Sequence, residues 1–244
     1  MKKKKQISRL TVMAFLIALG VVISPILRFE GMCPMAHFIN ITCSVLLGPW
    51  YSLACAVIIG IIRMNVMGIP PLALTGAVFG AFLSGVFYRL SKGNLLFAVL
   101  GEVIGTGLIG ALASYPVMTV FWGKTDISWL FYVPSFICGT LIGGSIAFVF
   151  LKKLARSGLL KKFQTMLGEK AYDEQDDILG NAAAIAAFGV IVFVVVGVLT
   201  SLFKVNSPVF GTVGSVLMSV FIISGVIYYV ANKIKIRKEK AGKA

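Results

Sequence analysis

The chain has 244 residues, 58% of them hydrophobic and only 13% charged, with a mean hydropathy of +0.95. A soluble domain carries about 25% charged residues and lacks apolar runs near the ~20 residues that cross a bilayer as helix. That excludes a soluble globular fold and points to an all-α polytopic membrane protein. The net charge of +14 arises from 23 basic against 9 acidic residues, and its placement along the chain suits lipid headgroups rather than nucleic acid.

The first apolar run begins at Ile7, directly after Met1–Lys5. It is too long for a signal-peptide core and no clear A-x-A site follows, so residues 7–27 are expected as an uncleaved first span. Within it Ala14 and Ala18 stand four residues apart, on one helical face. The second span, 37–48, is short and is closed by Gly48-Pro49-Trp50. His37, Asn40 and Ser44 at i, i+3 and i+7 give it a polar stripe on a helical period. Further spans are expected at 50–66, 72–91, 94–118 and 131–151, completing a six-span core over residues 1–155. Residues 156–179 then form a cytoplasmic linker. Lys152–Gln164 reads as a basic amphipathic helix on the inner membrane surface, and Glu169–Asp177 as a solvated acidic stretch. Spans 180–203 and 209–232 make a C-terminal hairpin within residues 180–233, and 234–244 a basic tail.

Eight spans put both termini on one side. Nineteen of the 23 basic residues fall on that side, leaving Arg28, Arg63, Lys124 and Lys204 opposite. The positive-inside bias makes the termini cytoplasmic, at a plasma membrane crossed several times. Cys33, Cys43, Cys55 and Cys138 include no C-x-x-C pair. They are expected to pack as small hydrophobes, with no metal or cofactor implied.

The fifth span contains G-x-G-x-x-G at Gly105, Gly107 and Gly110. A dinucleotide site needs that motif between a strand and a helix, where backbone N–H groups are free. Inside a membrane helix those groups are already bonded, so the glycines serve close helix packing. Glu102 is the only acid within an expected span. A carboxylate at membrane depth costs at least a few kcal/mol, so it should face the bundle interior and hold a partner. Thr106 shares its face at i+4.

Other polar side chains are expected to converge on it from the outer side: His37 and Asn40 on span two, Arg63 and Asn65 near the end of span three, Tyr115 near the end of span five. Together they outline an outward-opening cavity with a carboxylate at its floor, and Trp122, Trp129 and Tyr132, which bracket the fifth loop, are placed to cover its mouth. Simpler roles compete for some of them. Arg63 suits snorkelling to headgroups, His37 suits capping of span two, and Trp122, Trp129 and Tyr132 suit an interfacial aromatic belt.

MAFLIALG from Met13 to Gly20, HFIN from His37, LLGPWY from Leu46, GIIRMN from Gly60, GEVIGTGLIG from Gly101 and the pair Tyr115-Pro116 together resemble the substrate-binding (S) subunits of energy-coupling-factor vitamin transporters. The resemblance is to the ThiW family, assigned to the hydroxyethylthiazole moiety of thiamine, and covers roughly residues 7–155. It implies a six-helix core that captures a vitamin precursor and works with a coupling transmembrane subunit and two ATPases on separate chains. Ala14 and Ala18 would then dock the coupling subunit. The alternative is that they pack within the chain. No G-x-x-x-x-G-K-[ST] loop is present, so this chain is not expected to hydrolyse ATP. The ligand reading leaves open another vitamin, thiamine or a pyrimidine. A stand-alone proton-coupled transporter using Glu102 is a further alternative, disfavoured by a single interior acid and no inverted repeat. An intramembrane enzyme lacks any recognisable catalytic pairing.

Overall fold

In lipid, every backbone polar group must be bonded within its own segment, so long apolar runs fold as helices. A computed structural model describes residues 2–28, 32–172, 178–202 and 208–241. Lys204 and residues 173–177, given roles above, lie outside the described residues. The chain divides into two compact units, Met1–Glu174 and Gln175–Ala244.

The first unit contains α1 (Lys2–Ile23), α2 (Pro34–Leu47), α3 (Pro49–Met67), α4 (Leu72–Leu90), α5 (Leu95–Phe121), α6 (Val133–Arg156) and the short α7 (Leu159–Leu167). The second contains α8 (Ile178–Leu202) and α9 (Pro208–Ala241). Seven helices among the described residues are long and apolar enough to cross a membrane; α2 is not. Its 14 residues rise about 21 Å, short of the ~30 Å hydrocarbon core. It nevertheless has partners at both ends. Its start meets the end of α3 through Arg63 and Cys33, and its end meets α7 through Val45 and Gln164.

Local chemistry sets the boundaries. Proline stands in the first turn of α2 and α3, where its missing N–H is not needed. The Asn94 side chain caps α5 by accepting from Leu96 N at 2.9 Å. Gly68, with φ +61°, closes α3 in the left-handed conformation. α5 is not uniform. Its turns widen to i→i+5 bonding over Val103–Gly110 and Val117–Phe121, the second directly after Pro116, which has no N–H to give.

The glycines of α5 seat it against α4. A Cβ on Gly105 would lie 2.6 Å from Gly80 Cα, and one on Gly110 2.9 Å from the Thr75 carbonyl oxygen. These contacts bring two backbones together where a side chain would hold them apart.

The end of the unit opposite the Arg63 contact is strapped. Lys152–Gln164 was expected as one surface helix, but the chain turns at Gly158, φ +72°, and α7 starts afresh. Leu160, Gln164 and Leu167 of α7 are buried against the core rather than laid on the membrane surface. Gln164 Nε2 donates to the Val45 carbonyl at 2.9 Å and to the Tyr88 hydroxyl at 3.0 Å. Glu169, expected in the solvated linker, instead pairs with Arg9 at 3.1 Å and with Arg89, and Tyr172 packs edge-on against Tyr88. Composition signalled a polar linker; long-range partners on α1 and α4 fold its first residues onto the core.

In the second unit α8 and α9 pack as a hairpin, with Gly189 against Phe221 and Asn181 Nδ2 donating to the Tyr228 hydroxyl at 3.1 Å. The expected basic tail continues α9 as helix to Ala241.

Gly105→Val should therefore force α4 and α5 apart and destabilise the purified protein by about 1–3 kcal/mol, the usual cost of overpacking. Gly197→Ala, where a Cβ meets nothing within 4 Å, should be neutral or slightly stabilising, since alanine is the better helix former. Thermal unfolding in detergent distinguishes the two, and equal midpoints for both variants would refute the close-packing role of Gly105.

Candidate functional site

Glu102 ends the regular first part of α5 and is 0% exposed. A desolvated carboxylate is tolerated only when donors surround it. Three converge on Oε1: His37 Nδ1 at 2.9 Å, Asn40 Nδ2 at 3.0 Å and Thr106 Oγ1 at 3.2 Å. The helical period accounts for all three. His37 and Asn40 sit three residues apart on α2, and Thr106 is one turn beyond Glu102. Asn40 also reaches the Ala77 carbonyl at 3.3 Å, and its own carbonyl accepts from Ser52 Oγ at 3.1 Å. Facing an ionised carboxylate, His37 Nδ1 must carry the hydrogen. Nε2 is then an acceptor in the neutral ring and a second donor in the imidazolium.

The second carboxylate oxygen, Oε2, has no hydrogen-bond partner among the described residues. It faces Gly80, where a Cβ would lie 2.7 Å from it and would also strike Thr106. The absent side chain at residue 80 makes room for the carboxylate.

Beside this network lies a cavity of about 420 Å³. His37 and Thr106 line it; Glu102 and Asn40 do not. The carboxylate is thus not the exposed floor expected from sequence. It stands behind the two polar side chains that meet the cavity, and orients them. The apolar wall comes from Ala73 and Gly76 of α4, Met118 of α5, and Phe131, Tyr132 and Phe136 at the start of α6. Gly76 admits the Phe136 ring, since a Cβ there would lie 2.9 Å from it.

Arg63 also lines the cavity and is 3% exposed, so it does not snorkel. Its guanidinium donates to Cys33 Sγ at 3.2 Å. His37 does not cap α2, because Cys33 holds that position. Asn65 and Tyr115 are not brought to the cavity. Asn65 is exposed and donates to the Ile61 carbonyl of its own helix at 2.8 Å. Tyr115 stacks on Trp129 with ring centroids 4.3 Å apart. Of the three aromatic residues expected as a belt, Trp122 and Tyr132 line the cavity, and Tyr132 is buried. Phe131 and Phe136 escaped the sequence argument. The small residues Ala73 and Gly76, three apart on α4, were the available sign that a ring would be accommodated opposite.

Residues 10–157 match the family model described as thiamine-precursor transporter protein (ThiW). The chain belongs to the ThiW family. No curated protein and no solved structure is matched by the chain. ThiW membership makes it a multi-pass membrane protein of a transporter family, with a small-molecule substrate, and implies transport rather than catalysis. The ThiW match contains the whole Glu102 network and every residue that lines the cavity, while α7 and the second unit lie beyond it.

Removing the carboxylate tests whether it organises this site. Glu102→Ala takes the shared acceptor from three buried donors, of which Asn40 keeps its Ala77 contact, and should cost about 2–5 kcal/mol of stability. Glu102→Gln keeps shape and one acceptor and should cost less. Unfolding in detergent reads the order, and an alanine variant as stable as wild type would show that the network does not organise the fold around it.

Proposed function

We propose that this chain is the substrate-capture subunit of an energy-coupling-factor importer, and that its ligand is a thiamine precursor built on hydroxyethylthiazole. The observation that carries this reading is the His37–Glu102 pair beside an aromatic-walled cavity of about 420 Å³. That volume lies in the range of about 300–1,000 Å³ usual for ligand sites, which pair apolar walls with a few placed polar groups. A thiazole ring would lie against Phe131, Tyr132 and Phe136. Its nitrogen or its hydroxyl would meet His37 Nε2 and the Thr106 hydroxyl. Glu102 and Asn40 act as positioning residues, holding the imidazole and the hydroxyl from behind. In the importer, both termini face the cytoplasm, as the basic bias indicates, and the cavity opens outward.

The purified full chain should bind hydroxyethylthiazole in titration calorimetry, and more tightly than thiamine or a pyrimidine. Replacing His37 by Ala should weaken binding about tenfold, near the upper end of what one hydrogen bond contributes. Preferential binding of thiamine or a pyrimidine would move the substrate assignment, and absence of binding to all of them would remove it.

The importer reading also makes a prediction about α1. Leu16 and Gly20 turn into the bundle, whereas Ala14 and Ala18 are exposed. That counts against packing of the two alanines inside the first unit. It leaves a shallow strip where a partner helix can approach closely. Ala14→Trp with Ala18→Trp should leave folding and ligand affinity of the isolated chain near normal, and abolish uptake by the complete transporter. Normal uptake by the double variant would sink docking through this strip.

A further inference from the structure

The proposed function assigns His37 and Thr106 to a thiazole but gives no task to the charge at the other part of the cavity. Arg28, Arg63 and Lys124 all line it, and no acidic residue among the described residues does. Arg63 is 3% exposed; among the described residues its guanidinium reaches only the Cys33 thiol, and its Nε has no hydrogen-bond partner. A thiol is a weak acceptor. A buried guanidinium without a carboxylate is costly, and its planar fork suits two-point recognition of a carboxylate or phosphate. Lys124 is half-buried, with its ammonium over the rings of Phe131 and Tyr132 at 5.3 and 5.9 Å. Arg63 bonds Cys33, four residues before His37, so the guanidinium and the imidazole mark separate points on the cavity wall. At about 30 Å³ per water, the cavity would hold about 14 waters, more space than a single small ring fills.

We infer that the mouth of the cavity is an anion-binding subsite built on Arg63, with Lys124 and Arg28 at its rim, and that the captured precursor carries an acidic group, a carboxylate or a phosphate ester, at the end remote from His37. The inference rests on the transporter reading above. It adds the charge class of the substrate, and it gives the cavity two chemically distinct ends.

The test compares three ligands on the purified full chain by calorimetry: neutral hydroxyethylthiazole, its phosphate ester, and a thiazole bearing a carboxylate. At least one acidic form should bind about tenfold more tightly than the neutral form, and the two acidic arms tell carboxylate from phosphate. The advantage should shrink as sodium chloride is raised, because salt screens it. Arg63→Gln should bring acidic and neutral affinities to within about threefold of each other. Equal affinity of all three ligands for the wild-type chain would overturn the inference whether or not the variant folds, and would make Arg63 a structural cation. If no thiazole of any charge binds, the proposed function fails first. If the neutral form binds and the acidic forms gain nothing, only the subsite fails.

Discussion

The carboxylate of Glu102 is fully buried, and much of the first unit can be understood as the consequence. An ionised group removed from solvent must be surrounded by donors or it will not stay there. Two donors come from α2 and one from α5 itself, so the acid ties the second and fifth helices together across the bundle. α4 passes beside the same group, and the only way it can do so is without a side chain at residue 80. Gly80 therefore has two tasks. It clears space for the carboxylate and accepts the close approach of Gly105. Polar chemistry and helix packing meet at one backbone position.

The same arrangement separates charge along the cavity. The negative group is withdrawn behind His37 and Thr106, while the positive side chains Arg63 and Lys124 line the cavity directly. A ligand would meet an imidazole and a hydroxyl at one end and cations at the other, never the carboxylate itself. Glu102 would act on a ligand through the hydrogen it fixes on His37 Nδ1, because that choice decides what Nε2 can offer.

The Glu102 network was the part legible in sequence. An isolated acid in an apolar run, a polar stripe at helical spacing and a threonine one turn away are local signals, and each needs only the 3.6-residue period to be placed. The period fails elsewhere for identifiable reasons. Asn65 follows Arg63 by two residues, about 200° around the helix, so the two cannot face the same cavity. Tyr115 was placed by its position near the end of span five, not by its helical face; thirteen residues after Glu102 is about 220° around a regular helix, and the ring stacks on Trp129 instead. The spans themselves were legible from apolar length, and α7 from its amphipathic pattern. Its burial was not, because Gln164 and Glu169 find their partners on α1, α2 and α4, at separations that composition does not encode.

α2 joins these parts. A helix that carries His37, Asn40 and Ser44 cannot present them to lipid, where unpaired polar groups cost several kcal/mol. Enclosure solves that: twelve of its fourteen residues are buried, and Ser44 pairs with Ser84 of α4 at 2.7 Å. Once enclosed by protein, the helix no longer has to match the bilayer, and its 14 residues suffice. Its two ends have different neighbours. Near the start, His37 meets the cavity; near the end, the Val45 carbonyl holds Gln164 of α7. One helix therefore carries a cavity residue near its start and the acceptor for the strap near its end. The shortness of α2 is thus the consequence of its polarity, and its enclosure is what links the cavity to the strap at the opposite end.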